Sequence, residues 1–149
     1  MLLAALDGHA SVVMQLLAHG ADISGNDDGL TPLLLAAQNG HENVVTMLLE
    51  RGVNVNAKIV VERTALHQAA QNGHTSVVAL LLTRGAEIDA KENDGRTPLH
   101  LASLALATNG HVAVMTLLFG SGADIAAKDK EGWEPLHLAL KIRESANPR

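Results

Sequence analysis

Eight histidines are the residues with the widest chemical reach in this chain of 149 residues, which has no cysteine. Imidazoles bind zinc and move protons, so their spacing decides which of these is open to them. Seven fall into two regular series. His67, His100 and His137 each close a four-residue phrase, TALH, TPLH and EPLH. His9, His41, His74 and His111 each follow a glycine. Within a series the intervals are 32 to 37 residues. If each interval is one structural unit, successive rings stand about 8–10 Å apart, the spacing of packed helices. A zinc ion needs its nitrogens at about 2.1 Å from one centre. Neither ladder can close on a single ion. No Ser-His-Asp order, H-E-x-x-H, phosphate-cradling glycine loop or zinc-ligand spacing is present either. No catalytic residue, cofactor site or metal site is assigned, and the chain is not read as an enzyme.

The elements that carry these histidines repeat with them. Residues 94–102, DGRTPLHLA, recur as DGLTPLLLA at 28–36, VERTALHQA at 61–69 and EGWEPLHLA at 131–139. The anchors Thr31, Thr64, Thr97 and Glu134 are 33, 33 and 37 positions apart. Each Gly-His pair precedes a Val-rich apolar run that ends at Gly20, Gly52, Gly85 or Gly122, eleven residues past the histidine. A fixed period in this range signals a solenoid of stacked units.

The unit reads DG-x-TPLH-x-A, then NGH-x-x-VV-x-LLL, then GADI, and it resembles the ankyrin repeat over nearly the whole chain. The resemblance implies an all-α solenoid of helix–turn–helix units with hairpin-like fingers. Nine to ten short helices in antiparallel pairs are expected, with no sheet beyond finger contacts. The boundaries are a half repeat at 1–26, repeats at 27–58, 59–91 and 92–128, a half repeat at 129–142, and a fraying polar tail at 143–149. In the family the TPLH histidine ties its turn to the neighbouring one. Leu34 replaces it in repeat two, so one tie is missing.

Local signals add detail. Thr31 caps a helix with Pro32 at its first position, and Gly20 closes the helix expected over 10–18. Repeat three has Val61 and Glu62 where Asp and Gly belong, and Ala65 in place of Pro, so its start is expected to be less rigid. Repeat four has 14 residues from Thr97 to His111, where repeats two and three have 10 from Thr to His. The extra four lie within 103–109, and the first helix there is expected to be one turn longer. Leu2, Leu3 and Leu6 at one end, and Leu136, Leu140 and Ile142 at the other, lack a neighbouring repeat. They are expected to be partly exposed and to favour end-to-end self-association.

Composition bounds the function. The chain is 47% hydrophobic with one Phe, one Trp and no Tyr, so Ala, Leu and Val build the core. A net charge of −5, without a basic run, argues against nucleic acid as a partner. No apolar run approaches the ~20 residues of a membrane span. Freedom from cysteine fits an intracellular, cytoplasmic setting. The resemblance implies a protein-interaction scaffold or adaptor that binds a partner protein through its concave finger and groove face. The alternative is a regulatory or targeting segment of a larger multidomain enzyme or channel. The repeat breaks pattern at Val60, Val61, Arg63, Arg96 and Trp133, flanked by Gln71 and Asn72, and these are the expected partner-binding residues. The resemblance also implies a possible hydroxylation site at Asn56, since Val55 precedes it and Leu48 lies eight residues back.

Overall fold

Short helices follow one another from end to end in a computed structural model that describes residues 1–26, 29–105 and 109–146. Among the described residues there are nine helices and no strand. They are α1 (Leu2–Leu6), α2 (Ala10–Ala18), α3 (Pro32–Gln38), α4 (Glu42–Glu50), α5 (Ala65–Gln71), α6 (Thr75–Thr83), α7 (Pro98–Leu104), α8 (Asn109–Gly120) and α9 (Pro135–Ala146). The odd-numbered helices stack in one layer, the even-numbered ones in a second, and each pair packs face to face.

The sequence places these boundaries by local chemistry. Thr31 and Thr97 are extended at the N-caps of α3 and α7, each followed by a proline. The Thr31 hydroxyl accepts the Leu34 N–H at 3.2 Å and so satisfies a donor the helix leaves open. Each second helix stops at a glycine with φ between +73° and +92°. At Gly85 this lets the Ala86 N–H turn back to the Leu81 carbonyl at 3.0 Å.

The seam between layers is aliphatic. Val44, Val77 and Val114 recur at one position and are fully buried. Leu48, Leu81 and Leu118 form the next rung, also fully buried. Ala36, Ala69 and Ala102 let the first helices approach closely, with no surface left accessible. Burial of each such Leu contributes about 1.5–3 kcal/mol, which helices this short need because alone they are marginal.

Two expectations are corrected. In repeat four the first helix is no longer than its counterparts: α7 has seven residues, as do α3 and α5. Instead α8 starts early, at Asn109, two residues before His111, whereas α4 and α6 start just after His41 and His74. A tie across repeats fixes where the histidine must lie, as it does for His41 and His74. His111 Nε2 meets the Gln71 carbonyl at 2.8 Å, which holds the start of α8 over the end of α5. The added length must therefore enter before that bond. Residues 106–108 of this extension lie outside the described residues. The second correction concerns the tail. α9 runs on to Ala146, past the expected limit at 142, because no glycine interrupts it.

Among the described residues, each finger turn holds one left-handed residue. Gly29, Gly95 and Gly132 have φ of +78°, +76° and +84°, and Glu62 takes the same role at +60°. A side chain there costs roughly 1–2 kcal/mol. The Lys58–Glu62 pair, at 2.8 Å and solvent-exposed, returns only part of that. Glu62→Gly should therefore raise stability by about 0.5–1 kcal/mol, roughly 2–4 °C in melting temperature. Thermal melts followed by circular dichroism check this; an unchanged or lower melting temperature contradicts it.

Candidate functional site

Each finger is a five-residue loop closed by one backbone bond. The N–H groups of Asn26, Ile59, Glu92 and Asp129 donate to the carbonyls of Leu30, Arg63, Arg96 and Trp133 at 3.0 Å. Three of these loops are also stapled by a side chain. Glu92 Oε1 accepts the Asp94 and Arg96 N–H groups at 2.8 and 3.2 Å. Asp129 Oδ1 accepts those of Glu131 and Trp133 at 3.0 and 2.8 Å. Asn26 Oδ1 accepts the Leu30 N–H at 2.9 Å. Ile59 has no acceptor to offer, so the third finger closes without a staple.

Ties between fingers run forward. His67 Nδ1 accepts the Thr64 N–H at 3.2 Å, which places the proton on Nε2, facing the Arg96 carbonyl at 3.2 Å. His100 repeats this with Thr97 at 3.1 Å and the Trp133 carbonyl at 3.0 Å. A second series runs backward: His41, His74 and His111 reach the carbonyls of Leu6, Gln38 and Gln71 at 2.8, 2.9 and 2.8 Å. Gly40 has φ +75°, and a Cβ added to it would meet the His74 ring at 2.6 Å, so glycine is needed there twice over. These seven bonds' rings are spent on structure wherever a neighbouring repeat exists. Among the described residues no further finger meets His137, which is exposed, with Glu134 at 3.7 Å.

Ion pairs add a third link. Arg63 Nε lies 3.7 Å from Glu92 Oε2, and Arg96 Nε lies 3.6 Å from Asp129 Oδ2. Both carboxylates are buried, so the guanidinium of one finger is held by the acid of the next. The junction between repeats two and three lacks the residue types for all of this. Leu30 replaces the arginine, Leu34 the histidine and Ile59 the acid.

A family model described as ankyrin repeats (3 copies) matches residues 1–59 and again 60–129. The chain belongs to the ankyrin-repeat family. No curated protein matches it. Ankyrin repeats are generally protein–protein interaction modules and typically non-catalytic. Among the described residues of this array, no three His, Asp or Glu side chains group to hold a metal ion, and no helix is long and apolar enough to cross a membrane.

The array distributes the expected site residues unevenly. Val60 and Val61 are 76% and 42% exposed at the tip of the third finger. Arg63 turns inward along α5 and donates to Gln71 Oε1 at 2.9 Å, so these two meet. Asn72 instead caps its own helix through the Gln68 carbonyl at 2.8 Å. Arg96 sits one repeat on, about 10 Å by helix spacing. Trp133 lies a repeat further and packs on its own helix: Lys141 Nζ is 4.8 Å from the ring centroid and His137 lies edge-on at 6.2 Å. It is only half-buried. Asn56 bridges to the next finger, Nδ2 to the Gly85 carbonyl at 3.2 Å and Oδ1 from the Glu87 N–H at 2.8 Å. The sequence reading missed Glu92 and Asp129 as partners of the arginines. The signal was there, since each stands four residues before a column position.

Burial of His67 pushes its pKa down to about 4, and burial lowers that of His100 as well. An imidazole depressed in the folded state contributes stability that is complete above its unfolded value, near 6.5, and lost as pH falls toward the folded value. His67 alone should remove about 2 kcal/mol between pH 7 and pH 5. His67→Leu, which copies the Leu34 of repeat two, should lower stability at pH 7 but flatten this slope. Urea unfolding across that range checks it; equal slopes in the two proteins would rule the role out.

Proposed function

We propose that this ankyrin array is a scaffold or adaptor that binds a partner protein through the fingers entering repeats three to five and the groove beside them. Val60 and Val61 are its apolar anchor. The observation that carries this is the third fingertip. Two valines face solvent where the next two fingers have Asn93-Asp94 and Lys130-Glu131. The turn that presents them keeps Glu62 left-handed at φ +60°. Stacking explains neither feature, and strain held at an exposed turn is typical of ligand-binding positions. A preformed array also loses little conformational entropy on binding.

Val60→Ala and Val61→Ala, singly and together, should weaken the partner at least tenfold for the pair, about 1.4 kcal/mol. Melting temperature should hold, because neither side chain is in the core. Titration of a partner recovered on the wild-type protein checks this, and unchanged affinity in the double variant refutes the site.

We also propose that copies associate end to end. Leu3, Leu136 and Leu140 are 74%, 66% and 47% exposed, and Leu2, Leu6 and Ile142 are half-buried. Leu136 holds the position that is buried as Leu33, Leu66 and Leu99 inside the array. Sedimentation should show mass rising with concentration, and Leu136→Glu with Leu140→Glu should abolish the rise. A wild-type monomer at all concentrations refutes it.

A further inference from the structure

Leu30, Arg63, Arg96 and Trp133 hold one position in successive fingers and are all half-exposed, so they form a strip along the stack. The two arginines are positioned but not satisfied. Glu92 and Asp129, buried behind them, hold each guanidinium by its Nε at 3.7 and 3.6 Å, beyond hydrogen-bond reach. Neither Nε has a hydrogen-bond partner. Arg63 places one N–H on Gln71. In repeat four the equivalent of Gln71 is Leu104, which accepts nothing. The Arg96 guanidinium thus donates no hydrogen bond among the described residues, and its other contact is Asp94 at 3.7 Å. A guanidinium has five donors in a planar fork suited to carboxylate. Here the fork is fixed in advance and its outward donors are unspent.

We infer that this strip takes an extended segment of the partner protein, with two acidic side chains three residues apart facing Arg63 and Arg96. The spacing follows from geometry. Neighbouring repeats are about 8–10 Å apart, and a chain in the extended polyproline II conformation rises about 3.1 Å per residue with three residues per turn, which returns every third side chain to the same face. Three residues therefore advance one repeat. Leu30 and Trp133 flank the arginines and fit an apolar side chain at each end of the segment. This inference rests on the finger face being the binding face.

The probe is a fluorescein-labelled peptide carrying Leu, Glu, Glu and Phe at every third position, with Gly-Ser between. Its controls are a twin with Gln for Glu and an isomer with the two Glu adjacent. In anisotropy titrations the wild-type protein should prefer the spaced acidic peptide at least tenfold over both controls, with affinity falling as salt rises. Arg96→Gln with Asp129→Asn removes the charge and its buried partner together, while Asn keeps an oxygen for the finger staple. That variant should melt as the wild type does and lose the preference. Arg63→Lys and Arg96→Lys should keep the charge but lose most of the discrimination. Equal binding of the acidic and Gln peptides, no binding by the wild type, or a preference that survives the double variant overturns the inference. The fingertip variants separate this from the broader reading: a partner still weakened by Val60→Ala and Val61→Ala, with no acidic preference, leaves the finger site standing and removes the strip.

Discussion

No helix in this chain can bury its apolar face alone, and everything else follows from that constraint. α3, α5 and α7 have seven residues each, well below the roughly 12–15 at which isolated helices begin to hold in water. They persist because Val and Leu at fixed positions meet their copies one unit along. Stability is then a sum over units and junctions rather than a property of one core. This is also why the polar side chains recur. A histidine or carboxylate that works at one junction works at the next, and the two imidazole ladders, one reaching forward and one back, clamp opposite edges of the same stack.

The junctions are not equal. Between repeats three and four, an imidazole, an ion pair and a stapled turn act together at the fingers. Between repeats two and three the residues for all three are replaced by aliphatic ones. The helix layers still pack there, and His74 still reaches the Gln38 carbonyl. The finger edge of that junction lacks those three links and keeps the Asn56 bridge to Gly85 and Glu87, and it is the edge that carries the exposed valines. The place least committed to internal bonding is also the place most available to another molecule.

Much of this was legible in the sequence because each signal was local and repeated. Threonine followed by proline starts a helix for steric reasons, and glycine ends one because it alone adopts positive φ freely. The bounds of α2, α3 and α4 follow from such signals directly. What escaped were features set by neighbours. That α8 starts early while α7 keeps seven residues is marked by no local signal, and the bond between His111 and Gln71, forty positions apart, fixes only where the histidine must lie. The length of α9 follows from the absence of glycine and proline between Leu136 and Ala146, with Pro148 just beyond its last residue. The inward turn of Arg63 and Arg96 depends on acids one unit away, and reading the arginines one finger at a time leaves those acids out. The left-handed turn at Glu62 could be suspected from its alignment with glycine, but only the backbone shows that the turn kept its shape and the residue yielded.

The bond from His111 to Gln71 has one more consequence. It closes at the same length as the matching bond from His74 to Gln38, within 0.1 Å, although the chain between Thr97 and His111 is four residues longer than between Thr64 and His74. The architecture is thus indifferent to contour length at that bend: spacing is measured through space, from ring to carbonyl, and not along the chain. Such a bend is a natural port for grafting foreign sequence, where a peptide or tag can be spliced in while the flanking helices keep their registration.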